Sequence, residues 1–170
     1  FRSTGRQEYV TKDARHILFK VNTSGLDSTS ETYEADLQAA KAEAKAKAED
    51  ALAQWKAGEA TEDSFAALAN ELSEDGGSNT NGGLYTKIYK NQMVTEFNDW
   101  CFDESRQPGD TGIIYNENTG YHVMYFVGDD VPYWQVQVEN ALRSSDTDTW
   151  TEGLVAALEV VQEAGMKHVG

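Results

Sequence analysis

Cysteine, basic residues and long apolar runs are all scarce in this chain of 170 residues. Its single cysteine, Cys101, has no partner within the chain, so a scaffold held by internal disulfides is excluded. The chain has 14 lysine and arginine residues and 29 acidic ones, and its net charge of −15 argues against nucleic acid or an anionic membrane surface as a partner. No apolar run approaches the roughly 20 residues that a membrane-spanning helix needs.

What the chain does contain is enough apolar material for a packed core. Hydrophobic residues make up 39% of the sequence and aromatic residues 11%, which argues against wholesale disorder. A chain of this length fits one compact domain, or one domain with an appended helix, and can bury a core without disulfides or metals.

The order of the predicted elements favours an α+β fold with a mostly antiparallel sheet. Apolar residues at three- and four-residue steps predict a long helix over residues 33–55, and Thr61 can cap a second, shorter helix. Short apolar runs bounded by turn residues predict the strands, and residues 116–120 form a good hairpin connection. The remaining predicted elements are strands at 16–21, 84–89, 113–115 and 121–127, and a helical turn at 95–102.

The two ends of the chain differ in character from its middle. We expect residues 1–11 to be a linker or a strand from a preceding module, and residues 12–130 to form the main domain. Residues 131–170 are expected to form a helical extension, as one helix or as two broken near Ser144, with more apolar surface than a lone terminal helix should carry.

Two histidines and one central stretch stand out as candidates for a functional site. His16 lies in a short apolar strand, and His122 follows Gly120 and Tyr121 in another. Between them, residues 81–102 combine paired glycines with apolar and aromatic side chains. We expect these three pieces to form one apolar cleft backed by two imidazoles.

These pieces, in this order, resemble the parvulin family of peptidyl-prolyl cis/trans isomerases. The matching residues extend over about residues 14–128. They are His16-Ile17-Leu18-Phe19-Lys20, Phe65-Ala66-Ala67-Leu68-Ala69, Ser73-Glu74-Asp75, Gly82-Gly83, Gln92-Met93-Val94 with Glu96-Phe97 and Phe102, and Gly120-Tyr121-His122. The resemblance implies a four-stranded antiparallel sheet wrapped by helices, which agrees with the element order above.

The resemblance also implies roles for particular side chains, without a cofactor or a metal. The implied catalytic residues are His16, Asp75, Thr119 and His122. The implied substrate-binding residues are Tyr85, Met93, Phe97 and Phe102, which would hold a proline ring.

The stretch 83–88 departs from the family pattern. Tyr85 stands where the family has a pocket leucine, and Thr86 stands where it has a glycine. We expect this change to alter the shape of the pocket and the catalytic rate more than the fold.

Within the family, the sequence is most similar to the extracytoplasmic foldases of Gram-positive bacteria. That similarity implies proline-containing unfolded or partly folded polypeptides as partners, at the surface of a bacterium. The chain begins at Phe1 without a signal peptide, so we expect it to be a piece of a longer protein, and an anchor outside it is compatible with the sequence. The loop 24–34 carries Asp27, Glu31 and Glu34 but no lysine or arginine, which disfavours phosphorylated substrates.

Other interpretations of the same residues stay open at this point. His16 and His122 could be a buried structural pair, and Met93 and Phe97, four residues apart, could simply be core. The domain could also be a chaperone or peptide-binding module with little isomerase activity. A cysteine hydrolase using Cys101 lacks a motif for its base and oxyanion donors. A metal site made by the two histidines and Asp75 lacks a closely spaced pair of ligands.

Overall fold

The computed structural model describes residues 8–157, and their side chains as far as residue 152. Residues 1–7 of the expected linker and residues 158–170 of the expected extension lie outside the described part. The sheet and the first three helices belong to one compact unit, Gln7–Tyr133, and the described residues from Trp134 onward belong to a second.

One sheet of four strands forms the centre of the compact unit. The strands are β1 (Val10–Phe19), β2 (Leu84–Ile88), β3 (Thr111–Asn116) and β4 (Gly120–Pro132). They lie in the order β2-β1-β4-β3, and every neighbouring pair is antiparallel. The predicted α+β class with a four-stranded antiparallel sheet is therefore confirmed.

The described residues contain four helices: α1 (Tyr33–Ala57), α2 (Glu62–Leu72), α3 (Thr95–Cys101) and α4 (Tyr133–Ala157). The start of α2 is held by a capping box in which Thr61 and Ser64 each accept a hydrogen bond from the backbone N–H of the other. Helix α4 runs without interruption through Ser144, so the alternative with a break there is wrong. Threonine hydroxyls donate to carbonyls four residues earlier, as Thr147 does to Arg143, and so bond along the helix instead of ending it.

The two faces of the sheet are buried under different helices. Because side chains alternate along a strand, Ile17 and Phe19 of β1 pack with α1 and α2, while Ala14 packs with α3. Phe65 of α2 is fully buried in the first cluster, which contributes about 2–3 kcal/mol of stability. Three buried alanines of α1 let that helix lie close to the sheet: Ala44, Ala48 and Ala51.

The central strands bring the two histidines together. In the β1–β4 ladder, Leu18 lies opposite His122 and Met124 lies opposite His16. The two imidazoles are therefore diagonal neighbours on the α3 face of the sheet, at a separation that ring side chains can span.

The loop between α2 and β2 lies against β1 beside His16. The backbone N–H of His16 donates to the carbonyl of Gly83 at 2.9 Å. Gly83 has a φ of +69°, and a Cβ atom there would lie 2.1 Å from the carbonyl oxygen of His16. Only glycine fits this close approach, which fixes the path of the loop past the histidine.

Candidate active site

The centre of the site is a direct contact between two buried imidazoles. Nδ1 of His16 lies 2.9 Å from Nδ1 of His122, and the rings are stacked with their centroids 5.1 Å apart. The two side chains are nearly inaccessible, since His16 is 3% and His122 4% exposed. The structure therefore brings together residues that are 106 positions apart in the sequence.

Asp75 closes one end of this pair. Its Oδ2 atom lies 2.8 Å from Nε2 of His16 and accepts hydrogen bonds from the hydroxyls of Ser78, at 2.5 Å, and Tyr85, at 2.9 Å. Ser73, two residues before Asp75, ties the loop to β1, because its Oγ accepts from the backbone N–H of Leu18. Three side-chain contacts hold the carboxylate in place, and the hydrogen bond from Leu18 to Ser73 holds the loop that carries it.

Thr119 closes the other end of the pair. Its hydroxyl lies 2.8 Å from Nε2 of His122. The hydroxyl also lies 3.1 Å from Oδ1 of Asn116, the last residue of β3. All four residues predicted as catalytic therefore lie in one connected hydrogen-bond network.

The chemistry of Asp75 determines where the protons lie. An ionised carboxylate can only accept, so Nε2 of His16 carries a hydrogen and its Nδ1 is the acceptor in the neutral ring. His122 then donates from Nδ1, and its Nε2 accepts from the hydroxyl of Thr119. One direction of donation runs through the whole network, from Thr119 to Asp75.

Burial governs the protonation of these groups. Burial lowers the pKa of His16, against the opposing effect of Asp75. Burial, followed by the charge of His16, lowers the pKa of His122 to about 4, so both rings are neutral at pH 7. Partial burial raises the pKa of Asp75, but hydrogen bonds from Ser78, His16, the Gly77 N–H and Tyr85 outweigh it and hold this pKa well below its usual value.

A cleft of about 270 Å³ opens above the network. Its lining combines apolar and aromatic side chains with polar ones that include the catalytic candidates. The lining residues are His16, Leu18, Asp75, Tyr85, Gln92, Met93, Val94, Phe97, Thr119 and His122.

Phe97 serves both the core and the cleft. Only 1% of the residue is exposed, and its ring lies edge-on to His16 at 5.5 Å and to His122 at 6.1 Å. Met93, which packs against the same cluster, is only partly buried. The cleft wall is therefore rigid at Phe97 and adaptable at Met93.

Phe102 lies elsewhere and does not line the cleft. Its ring packs edge-on against Tyr9, with centroids 5.9 Å apart, and lies beneath the ammonium groups of Lys12 and Lys90. The structure thus brings together seven of the eight predicted site residues and leaves this one outside.

The thiol of Cys101 does not line the cleft. Cys101 is fully buried in the α3 cluster, and burial raises the pKa of its thiol to about 12. Between residues 8 and 157, no group of three His, Cys, Asp or Glu side chains is placed to hold a metal ion. Each ring nitrogen of His16 and His122 instead faces a partner within the protein.

Sequence reasoning assigned no role in the site to four polar residues, although two of them, Gln92 and Glu96, are among the family-matching residues; the other two are Ser78 and Asn116. Ser78 lies in the loop between α2 and β2 and is fully buried beside Asp75. Glu96 and Asn116 meet through a hydrogen bond of 2.7 Å between α3 and the end of β3. No local signal marks Ser78 or Asn116, because their roles arise only when distant segments meet.

The comparisons with known proteins agree with this architecture. Residues 1–128 match the family model of the PPIC-type PPIase domain. No curated protein sequence matches the chain. The other matches are solved structures.

Two of these are PrsA peptidylprolyl isomerases of Bacillus species. PrsA from Bacillus cereus has 20% identity and a TM-score of 0.51, covering 93% of this chain and 54% of that chain. PrsA from Bacillus subtilis has 20% identity and a TM-score of 0.51, covering 92% and 54%. The chain thus spans about half the length of these proteins, and at this identity the likeness shows the fold.

Pin from the archaeon Cenarcheaum symbiosum also matches. It has 27% identity and a TM-score of 0.42, covering 74% of this chain and 99% of that chain. The family match covers three quarters of the chain, and the antiparallel sheet agrees with it. The chain belongs to the PPIC-type peptidyl-prolyl isomerase family, the parvulins, as the sequence predicted.

Proposed function

We propose that this domain catalyses cis/trans isomerisation of peptidyl-prolyl bonds in unfolded or partly folded polypeptides. The observation that carries the proposal is the apolar cleft, with Met93 and Phe97 at its wall and the His16–His122 pair at its floor. A pyrrolidine ring is small, apolar and compact, and such a cleft suits it in size and polarity.

The reaction breaks no covalent bond. Rotation about a peptide bond faces a barrier of about 18–20 kcal/mol because amide resonance is lost, and isomerisation before proline takes tens to hundreds of seconds. Resonance separates charge in the planar amide, so the twisted amide is the less polar of the two. An apolar cleft therefore penalises the planar form more and lowers the barrier.

The polar groups at the floor of the cleft form hydrogen bonds with one another. The hydroxyls of Tyr85 and Thr119 donate within the network, so they do not hold water tightly in the cleft. Gln92 differs, because its Oε1 accepts from the backbone N–H of Tyr89 and its Nε2 group can donate to a substrate carbonyl. We assign the grip on the proline ring to Met93 and Phe97, and the orientation of the peptide to Gln92.

The proposed substrates are unphosphorylated. Asp75 is ionised at the cleft, and the loop after β1 carries Asp27, Glu31 and Glu34. A phosphate before the proline would meet negative charge there, where recognition of phosphate requires arginine or lysine.

We place the protein outside the cytoplasm of a bacterium, where it would assist the folding of secreted or surface proteins. The support is the sequence similarity to the foldases of Gram-positive bacteria. A membrane anchor of the full-length protein and a chaperone role for the region from residue 131 onward belong to the same proposal. No helix among the described residues is long and apolar enough to cross a membrane.

Exchange NMR on an alanine-proline tetrapeptide, with and without the protein, tests the isomerase proposal directly. We expect catalytic amounts of protein to speed the exchange between the cis and trans signals. Met93→Ala should lower kcat/KM about tenfold, because it removes an apolar contact of about 1.5 kcal/mol with the ring.

Leu26→Ala is the matched control for that variant. Leu26 is partly buried and lies outside the cleft lining. Its substitution by alanine removes an apolar side chain similar in size to that of Met93. Its activity should equal that of the parent protein. No exchange above background with folded protein, or equal losses in both variants, would count against the proposal.

A chaperone module with little isomerase activity is the second candidate. It is favoured by the exposed apolar side chains of α4, since Leu142 is 60% and Trp150 67% exposed. On this hypothesis the protein suppresses aggregation of an unfolded client, and the suppression survives His122→Gln but falls with Trp150→Gln. Suppression that is lost with His122→Gln would contradict it.

A further inference from the structure

The residues beyond Thr119 extend the hydrogen-bond network to the protein surface. Asn116 is buried, with 8% of the residue exposed, and its Nδ2 group donates to Oε2 of Glu96 at 2.7 Å. Glu96 lies in the first turn of α3, the helix that carries Phe97. We call the series Glu96, Asn116, Thr119 and His122 the relay.

The carboxamide of Asn116 has one possible orientation. Its Oδ1 atom accepts from the backbone N–H groups of Asn118, at 3.1 Å, and Thr119, at 3.2 Å. Its other end faces the carboxylate of Glu96, which accepts and does not donate. A flipped amide would break all three bonds, so Oδ1 must face the hydroxyl of Thr119.

Two acceptors therefore compete for the single hydroxyl proton of Thr119. Nε2 of His122 lies 2.8 Å from the hydroxyl oxygen, and Oδ1 of Asn116 lies 3.1 Å from it. While Nε2 carries no hydrogen, Thr119 donates to the ring. Once Nε2 is protonated, Thr119 must accept from the ring and donate to Asn116 instead.

Glu96 biases this competition. Its negative charge polarises the carboxamide, which makes Oδ1 of Asn116 a stronger acceptor. Its charge also favours positive charge on His122. The other charged or titratable groups that act on His122 are His16 from β1 and Asp75 from the loop.

We propose that Asn116 and Glu96 are positioning residues that bias the proton of His122 toward Nε2, against the arrangement imposed by Asp75, acting through the hydroxyl of Thr119. Neither residue lines the cleft, so their effect on substrate is indirect. The catalytic meaning of this control rests on the proposed isomerase function. The proton arrangement itself can be measured without any substrate.

Nitrogen-15 NMR of the histidine rings in the folded protein tests the proposal, because the shifts of Nδ1 and Nε2 report which of them carries hydrogen. The parent protein should show a neutral His122 with hydrogen on Nδ1. The double variant Asn116→Asp/Glu96→Gln keeps the acceptor for the two backbone N–H groups and places a carboxylate one hydroxyl away from the ring, while the glutamine at position 96 can donate to that carboxylate. We expect the pKa of His122 to rise by about one unit and hydrogen to shift toward Nε2.

Glu96→Gln is the milder variant and leaves the β3–β4 turn unchanged. It removes the charge while keeping an acceptor for Asn116, so we expect the pKa of His122 to fall. Glu117→Gln is the matched control, since Glu117 bonds to Lys41 and Tyr115 outside the relay. This variant should leave the His122 signals unchanged.

The proposal is overturned if the variants at positions 96 and 116, folded by circular dichroism, show the parent ring signals and the parent pH titration. It is also overturned if Glu117→Gln moves the His122 signals as much as Glu96→Gln does. Altered ring signals in a protein without activity on proline peptides would support the relay while removing the isomerase proposal. The two failures are therefore distinguishable.

Discussion

At the scale of single residues, the floor of the cleft consists of polar groups that satisfy one another. Among the described residues that are not exposed, no fully buried side-chain nitrogen or oxygen lacks a hydrogen-bond partner. A neutral His16–His122 pair fits this arrangement, since a proton added to Nε2 of His122 would force the hydroxyl of Thr119 to stop donating to the ring and to accept from it instead. Because protonating a buried ring costs free energy in the folded state only, the protonation of His122 affects the free energy of unfolding.

That coupling predicts that acid destabilises the domain well above the range in which carboxylates titrate. The pKa of His122 is about 4 in the folded protein and 6.5 in the unfolded chain, so only the unfolded chain takes up this proton between those values. The free energy of unfolding should therefore fall as the pH drops from 6.5 to 4, by up to about 3 kcal/mol. Urea unfolding at pH 7, 6, 5 and 4 measures this fall.

His122→Gln supplies the comparison for that experiment. Glutamine does not titrate, so the variant should lose less stability over the same range. His16, whose pKa is also lowered by burial, leaves a slope of the same sign in the variant. Asp75 adds stability above pH 3.8 that is lost only below that value, because its folded pKa is depressed. Equal slopes in the two proteins would contradict the assignment to His122.

The sequence predicted the residues that short motifs mark and missed those that depend on tertiary contacts. His16 and His122 lie in apolar strands whose register on adjacent strands makes them meet. Ser78 and Asn116 occur in polar loop and turn sequences that suit many exposed sites. Their burial follows from the packing of α3 and the loop on the sheet, which composition does not encode.

At the scale of elements, the connection between α1 and α2 contains a strained residue. Ala60 has a φ of +51° and is exposed, so this residue with a side chain adopts the left-handed backbone conformation that favours glycine. Ala60→Gly should stabilise the domain by up to about 1 kcal/mol, since relief of strain exceeds the added entropy of the unfolded chain. Thermal and urea unfolding of the variant measure the change.

Ala53→Gly makes the same chemical change seven residues earlier, inside α1. Ala53 is exposed and helical, so glycine there should destabilise the protein by about 1 kcal/mol. Opposite signs for the two substitutions would confirm that the backbone conformation decides the effect. Loss of stability at both positions would show that Ala60 is not strained.

Element types were predicted better than element ends. The apolar period of α1 gave a helix over 33–55, and the helix extends two residues further, to Ala57. Strand β1 begins at Val10, six residues before the predicted start, because its first half pairs with the long end of β4 near Pro132. Such pairing depends on a partner strand more than 100 residues away, so the local pattern contains no sign of it.

At the scale of the whole compact unit, the two faces of one sheet have different tasks. The face under α1 and α2 is closed by a continuous apolar cluster that includes Trp55 and Phe65. The face under α3 is only half covered, and the uncovered half is the cleft. Cys101 lies in the covered half, fully buried next to Ala14 and Met124.

Because Cys101 is buried in this position, the reaction rate of its thiol reports how often the folded structure opens around it. Burial raises the pKa of its thiol to about 12, and no part of the residue is accessible, so the folded protein should react with thiol reagents extremely slowly. Labelling should require opening of the α3 cluster, so its rate should rise with urea in parallel with the unfolded fraction. Alkylation by iodoacetamide, followed by mass spectrometry, measures the rate.

An exposed thiol in the same protein separates slow chemistry from lack of access. Ser145→Cys in a Cys101→Val background places the thiol on the exposed surface of α4, and it should react at the rate of a small-molecule thiol without urea. If Cys101 in the parent protein reacted equally fast, α3 would have to open without unfolding of the rest. The wall of the cleft at Phe97 would then be mobile, and the proline ring would meet a flexible surface instead of the rigid one that the contacts of Phe97 with both imidazoles require.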